Sequence, residues 1–232
     1  MTPAAMPTGL RLFLDGADVD AWRRWLPLGI FCGVTTNPTL LQRADVPCTP
    51  DALRRLADEA FALGASEVQM QVWGEDSASM VAAGRLLAAF DERIVVKVPV
   101  TREGLICTRK LVEEGTGVTL TALYAPHQAL LAAAAGARYA APYLGRMNDA
   151  GRKGEEDIVR MEEMLARTGS ETRLLVASLR SVDDLVRLAA CGIDTFTIST
   201  TVAGTLLEEP LTEKAVADFE AHARAMGATP PP

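Results

Sequence analysis

The chain has 232 residues, with 23 lysines and arginines against 30 aspartates and glutamates, giving a formal net charge of −7 at neutral pH. That length suits a single barrel-sized domain with a large core. The acidic balance argues against nucleic acid as a partner, and no apolar run approaches the roughly 20 residues of a membrane span.

Residues 1–9 lack a basic segment followed by an apolar one, so no secretory signal is expected, and the stretch reads as a flexible lead. β-Type runs then alternate with helical patterns as far as Met226. The predicted strands are Leu10–Asp15, Ile30–Thr35, Val68–Trp73, Ile94–Val98, Val118–Leu123, Tyr139–Tyr143, Arg173–Ser178 and Thr195–Ser199. Between the second and third, Thr49-Pro50-Asp51 supplies an N-cap, a first-turn proline and a carboxylate at the positive end of the helix dipole. Leu53, Leu56, Ala60 and Phe61 follow at helical spacing. Ser181 and Asp184 form a near capping box, and Gly136 and Gly192 fall where helices should end. Thr212–Met226 reads as a helix with Ala215, Val216, Phe219, Ala223 and Met226 along one stripe, able to pack on its own barrel or on a neighbour. Residues 227–232 read as a flexible proline-rich tail.

Eight strands alternating with helices predict a single α/β domain, a (β/α)8 TIM barrel over residues 10–226 with a C-terminal helix extension. The rival is an open doubly wound sheet. No Gly-x-Gly-x-x-Gly follows the first strand and no Gly-x-x-x-x-Gly-Lys-Ser/Thr occurs, which disfavours its common nucleotide-binding forms. Cys32, Cys48, Cys107 and Cys191 are scattered without a Cys-x-x-Cys pair, which favours reduced thiols in a cytoplasmic protein. His127 and His222 are the only histidines, so a histidine-built metal centre and a Ser-His-Asp relay are both disfavoured.

Lys97 stands in the middle of Ile94-Val95-Val96-Lys97-Val98-Pro99-Val100, an otherwise apolar, β-branched run. Pro99 cannot donate to a sheet ladder and marks the strand's end, which puts Lys97 near a C-terminal tip. Burial disfavours the ammonium form and lowers the pKa, the condition that makes a lysine amine nucleophilic toward a carbonyl. The plainer alternative is a lysine reaching out to solvent from a strand end.

Barrel active sites lie at the C-terminal ends of the strands. Those ends carry Asp15, then Thr35, Thr36 and Asn37, then Gln71, Lys97, Thr121, Tyr143 and Ser178. Each has a plain reading too. Asp15 could cap a helix, Asn37-Pro38 could be a turn, and Gln71 could face outward with Gln69. Thr121 could be only a good strand former, and Ser178 could serve the next helix. Their joint placement around one buried lysine favours a site. Arg102 and His127 read as surface residues.

The residues also carry a resemblance. LFLD ending at Asp15, GVTTNPTLL around Asn37, IVVKVPVTREGL around Lys97, AGARYAAPYLGRMND around Tyr143 and Arg146, and VASLR around Ser178 occur in that order. From about Leu10 to Met226 the chain resembles the small transaldolases and, within them, the fructose-6-phosphate aldolases. The resemblance implies a barrel with a Schiff-base lysine, Lys97, on strand four, and no metal or organic cofactor. It implies that Asp15 assists proton transfer, that Asn37 with Thr36 holds substrate hydroxyls, and that Thr121 positions a catalytic water. It implies that Arg146 and Ser178, with Arg180, receive a phosphate.

Gln71 and Tyr143 stand where transaldolases usually carry glutamate and phenylalanine, which resembles the aldolase branch. Gly16 in place of the usual threonine or serine, the missing proline around Ile198–Thr201, and the loop Gln42–Pro50 depart from the pattern. The resemblance further implies a homo-oligomer, a pentamer or a decamer of stacked pentamers, with C-terminal helices clasping neighbours. Aldolase, true transaldolase and a non-catalytic sugar-phosphate-binding barrel all stay open at this stage.

Overall fold

The computed structural model of the protein describes residues 9–229. The expected flexible ends therefore fall, apart from residues 9 and 227–229, outside the described residues. The strands are β1 (Arg11–Asp15), β2 (Gly33–Thr35), β3 (Glu67–Gln71), β4 (Ile94–Pro99), β5 (Val118–Leu123), β6 (Tyr139–Pro142), β7 (Arg173–Leu174) and β8 (Thr195–Ser199). The helices are α1 (Val19–Trp25), α2 (Pro38–Arg43), α3 (Pro50–Ala62), α4 (Ser77–Ala88), α5 (Arg102–Glu113), α6 (Pro126–Ala135), α7 (Leu144–Asp149), α8 (Gly154–Arg167), α9 (Val182–Ala190), α10 (Thr200–Thr205) and α11 (Pro210–Ala225). All strand pairs are parallel, in the order β7-β6-β5-β4-β3-β2-β1-β8. The ring closes where Val176 bridges Phe196, with the Val176 amide donating to Thr195 at 3.0 Å and the Thr197 amide donating to Val176 at 2.9 Å. The fold is the (β/α)8 barrel that the alternation predicts.

The caps behave as their chemistry demands. Thr49 caps α3 with Pro50 in its first turn, and Ser181 and Asp184 form a reciprocal capping box at α9. Gly136 ends α6 at φ 76°, a left-handed conformation that a Cβ would strain.

Two strands are much shorter than predicted, one at its start and one at its end. β2 begins only at Gly33, because Gly29 ends the preceding turn in the left-handed region and Ile30 lies 48% exposed. β7 is a two-residue ladder rather than Arg173–Ser178. Beyond Leu174 it pairs by single bridges, Val176 to β8 and Ala177 to Tyr143, before Ser178 turns at φ 61°.

Alternation along the strands sorts the core into two layers. Leu14, Val34, Met70, Val96, Val98, Leu120 and Ile198 point outward and pack under the helices. Phe13, Val95, Tyr139, Leu175 and Ala177 fill the barrel interior. The face shared by Gln69 and Gln71 is this interior, not an outer one. Gln69 is fully buried, donating to Glu67 at 2.8 Å and accepting from Thr119 at 2.8 Å. The lower barrel is thus held by hydrogen-bonded polar groups, and the upper barrel is left to the residues at the strand ends.

α11 does not join the core. None of its residues is buried, and Leu211, Val216 and Phe219 are 76%, 53% and 68% exposed, so the helix does not pack on its own barrel. Among the described residues, no helix is long and apolar enough to cross a membrane.

Candidate active site

Lys97 is 3% exposed and lies two residues before the end of β4, in register with Gln71 on β3 and Thr119 on β5. Desolvation lowers its pKa, and the Asp15 carboxylate pulls the other way. A larger share of neutral amine at neutral pH follows, on a side chain whose end reaches a cavity of about 290 Å³ at the C-terminal mouth of the barrel. Solvent access is confined to that cavity, so the plainer picture of a lysine snorkelling to open solvent does not hold.

Asp15, Asn37, Tyr143, Arg146, Ser178 and Arg180 line the same cavity. Seven of the ten residues picked out in the sequence therefore converge, from strands one, two, four, six and seven. Asp15 accepts a hydrogen bond from Thr35 at 2.7 Å, and the Thr35 hydroxyl lies 2.6 Å from that of Thr197. With the Thr35 proton committed to the carboxylate, Thr197 must be the donor to Thr35, and the relay holds the Asp15 carboxylate at the cavity.

Tyr143 is buried, its hydroxyl 2.8 Å from that of Thr121. Burial is the main reason its pKa is raised, so the phenol keeps its proton at neutral pH. Tyr124 meets its ring edge-on at 5.7 Å, and the Arg146 guanidinium lies 5.1 Å above it. Arg146 also donates to the Tyr124 hydroxyl at 3.4 Å. Asn37 caps α2, its side-chain oxygen accepting from the Thr39 and Leu40 amides at 3.0 and 3.1 Å. The cap bonds leave its amide NH2 group available as a donor on a residue that lines the cavity.

On the far wall Ser178 sits at φ 61°, in the left-handed region that a side chain rarely adopts. Its carbonyl accepts the Gly145 amide at 2.9 Å. A Cβ at Gly145 would lie 2.5 Å from that carbonyl and 2.4 Å from Arg180 Nε, so only glycine lets α7 start this close to the Ser178–Arg180 turn. Arg180 pairs with Asp149. Two guanidiniums and a hydroxyl thereby face one side of the cavity, a donor set suited to an anion.

Three expected residues stand apart. Thr121 and Gln71 do not line the cavity: Thr121 meets it only through Tyr143, and Gln71 is half-buried on the barrel rim. Thr36 lies behind the wall with a buried hydroxyl that finds no partner, because Thr35 points inward and the next side chain alternates to the outside. Four residues escaped the sequence reading. Ser199 lines the cavity at the end of β8 and was open to the strand-end rule, whereas Arg43, at the far end of α2, had no local signal. Thr197 and Tyr124 act only through tertiary contacts.

Two rivals as a site are weaker. A larger groove of about 670 Å³ runs along α8 past Lys153, Glu156 and Arg160, but it lies outside the barrel on exposed charges. Burial raises the Cys32 and Cys107 thiols to about 12 and about 11, so both stay protonated, and neither lines the cavity. Gly16 borders a second, more open cavity of about 670 Å³ with Thr200 and Thr201, and a side chain at that position would meet nothing within 4 Å.

A closed (β/α)8 barrel with a desolvated lysine amine at its catalytic mouth, faced by a carboxylate and a phenol, defines a Schiff-base enzyme of the aldolase class. Comparison with known proteins agrees. The family model described as Transaldolase/Fructose-6-phosphate aldolase matches residues 12–229. The chain is 36% identical to a probable transaldolase of Maridesulfovibrio salexigens, over 91% of this chain and 97% of that one. It is 35% identical to a probable transaldolase of Methanococcus maripaludis, over 92% and 99%, and 37% identical to one of Phenylobacterium zucineum, over 90% and 94%. A solved mandelate oxidase variant with an FMN adduct superposes with a TM-score of 0.57 at 15% identity, over 85% of this chain and 72% of that one, a likeness of fold alone. The chain belongs to the transaldolase/fructose-6-phosphate aldolase family.

Proposed function

We propose that the protein is a class I aldolase that cleaves or forms the C3–C4 bond of fructose 6-phosphate-like ketoses, with a dihydroxyacetone-type donor. The observation that carries the reading is the pairing of Tyr143 with Thr121 at the same small cavity as Lys97. The Lys97 amine adds to the ketose carbonyl, and loss of water gives a protonated imine. Asp15 takes the proton of the C4 hydroxyl as the C3–C4 bond breaks. The bond's electron pair passes to the imine nitrogen, leaving an enamine and a free aldehyde. Tyr143, its hydroxyl held by Thr121 and with Gln71 in register beside Lys97 behind the cavity wall, then delivers a proton to the enamine carbon. Hydrolysis of the resulting imine releases the three-carbon ketone. Asn37 donates to substrate hydroxyls, and Arg146, Ser178 and Arg180 hold the phosphate, as planar guanidinium forks suit. No metal or organic cofactor takes part in this scheme.

A second reading, true transaldolase, rests on the relatives named as probable transaldolases. In it the enamine waits for a second aldehyde instead of a proton. The deciding experiment incubates the protein with fructose 6-phosphate and no acceptor aldehyde. Free dihydroxyacetone at a steady rate supports the aldolase. A stoichiometric burst of glyceraldehyde 3-phosphate with no free dihydroxyacetone, and turnover restored by an added acceptor aldehyde, supports the transaldolase. Borohydride reduction with fructose 6-phosphate or dihydroxyacetone should fix the donor to Lys97, and no adduct with either would leave a non-catalytic binding barrel. We further read the protein as a cytoplasmic homo-oligomer, a pentamer or stacked pentamers as the family resemblance implies, and the apolar residues of α11, uncovered on their own barrel, support association.

A further inference from the structure

We propose that Arg43 is an additional anion-binding, specificity-determining residue of this site, reaching the substrate's phosphate from the wall opposite Arg146. The inference rests on the aldolase-type reading above and adds a residue to it.

Arg43 ends α2, the helix that follows β2, and Arg146 lies on α7, which follows β6. In the closed ring β2 and β6 are four strands apart, on opposite sides of the mouth. Both residues nonetheless line the one cavity of about 290 Å³, together with Lys97 and Arg180. A space of that volume is about 8 Å across if roughly spherical, at the lower end of the several hundred Å³ typical of small-molecule pockets. An anion of phosphate size at the mouth is therefore within reach of long guanidinium side chains on both walls.

The three guanidiniums differ in what already occupies them. Arg180 is paired with Asp149. Arg146 lies over the Tyr143 ring and donates to Tyr124. Arg43 is exposed and makes no ion pair and no side-chain hydrogen bond among the described residues, so its whole donor fork is free. Carboxylates do lie near it. Asp18, Asp20 and Asp45 line the adjoining open cavity, which Arg43 also borders. Asp18 is spent on the cap of α1 and Asp20 on Arg23, and none of the three holds Arg43. A free, fully charged guanidinium that borders a reactive amine and an anion-suited wall is placed to close over a bound phosphate with charge-assisted bonds.

The test compares the parent with Arg43→Ala, Arg43→Gln and Arg43→Lys in the aldol direction, using glyceraldehyde 3-phosphate and unphosphorylated glyceraldehyde as acceptors. Loss of one charge-assisted contact should raise KM for the phosphorylated acceptor roughly ten- to a hundredfold, with kcat changed less than the KM. The unphosphorylated acceptor should be affected several-fold less, and Arg43→Lys should recover part of the loss. Equal effects on both acceptors, no effect on either, or a fall confined to kcat would each overturn the proposal. Inorganic phosphate binding, read by calorimetry on the same four proteins, gives a second readout that needs no turnover. It should weaken in the Ala and Gln variants, and unchanged binding would also overturn the proposal. If the parent forms no borohydride adduct with dihydroxyacetone, the Schiff-base reading fails by itself, and the phosphate titration still decides Arg43.

Discussion

At the scale of single residues, the chemistry turns on one proton of Lys97. The unfolded chain exposes this lysine, while the folded barrel desolvates it and lowers its pKa. Between the folded and unfolded values the unfolded state binds the extra proton, so this group makes stability rise with pH, and below the folded value its cost stays in full. Lys97→Met keeps length and removes the charge, so at pH 7 its Tm should be no lower than the parent's. The difference should close as pH rises past about 10.4, the ordinary lysine value. A clear drop in Tm at pH 7 would mean that Lys97 is net stabilising. The same variant should give no borohydride adduct with dihydroxyacetone, and an adduct would place the nucleophile elsewhere. Tyr143→Phe removes one hydroxyl and its bond to Thr121. Release of free dihydroxyacetone should slow by about 10²–10⁴-fold, the range of a positioned acid or base, while transfer to an added aldehyde suffers less. Release at the parent rate would reduce Tyr143 to a packing role.

At the scale of elements, the cavity wall that carries Arg146, Ser178 and Arg180 is a contact between two turns. α7 enters beside the Ser178–Arg180 segment with no room for a Cβ at Gly145, and the nearest obstacle includes a backbone carbonyl that cannot swing aside. Gly145→Ala must displace α7 or the Ser178 turn, and overpacking of this kind costs about 1–3 kcal/mol. A lower denaturation midpoint at unchanged m-value would show it. Arg146 and Arg180 should shift with the turn, so KM for phosphorylated substrates should rise more than KM for neutral ones. An unchanged midpoint and KM would show that the two turns are not held rigidly together. The bulge in β5 is a related device. Ala122 sits at φ 63° where the register slips between Thr121 and Leu123, and Thr121 keeps its place against Tyr143 just before the slip.

At the scale of the whole molecule, closure of the ring brings Asp15, Lys97 and Ser178 to one mouth from positions more than 160 residues apart, while α11 stays outside that closure with Phe219 and Met226 exposed. Exposed apolar side chains on one helix are covered most simply by another copy of the chain. Light scattering should give a multimer mass for the parent. Phe219→Glu, which puts a charge into that cover, should lower the mass while leaving the barrel's far-UV circular dichroism intact. A monomer mass for the parent would remove the oligomer reading.

By itself the sequence determined what depends on neighbours along the chain. The alternation of apolar β-branched runs with capped helices specified the barrel, and Thr49, Ser181 and Gly136 marked helix ends through local backbone chemistry. Lys97 announced itself because a charge inside an apolar run is costly wherever that run is buried. Tertiary structure alone decided the rest. Whether Gln69 faced outward or inward depended on which side of the sheet became the lumen, and Thr36 fell behind the wall by one step of the same alternation. The Thr197–Thr35–Asp15 relay depends on a bond between residues 162 positions apart, and Arg43, at the end of α2, borders the cavity only once the ring has closed. Such partners leave no periodic trace in the chain, since their distance is set by ring closure and helix direction rather than by spacing in sequence.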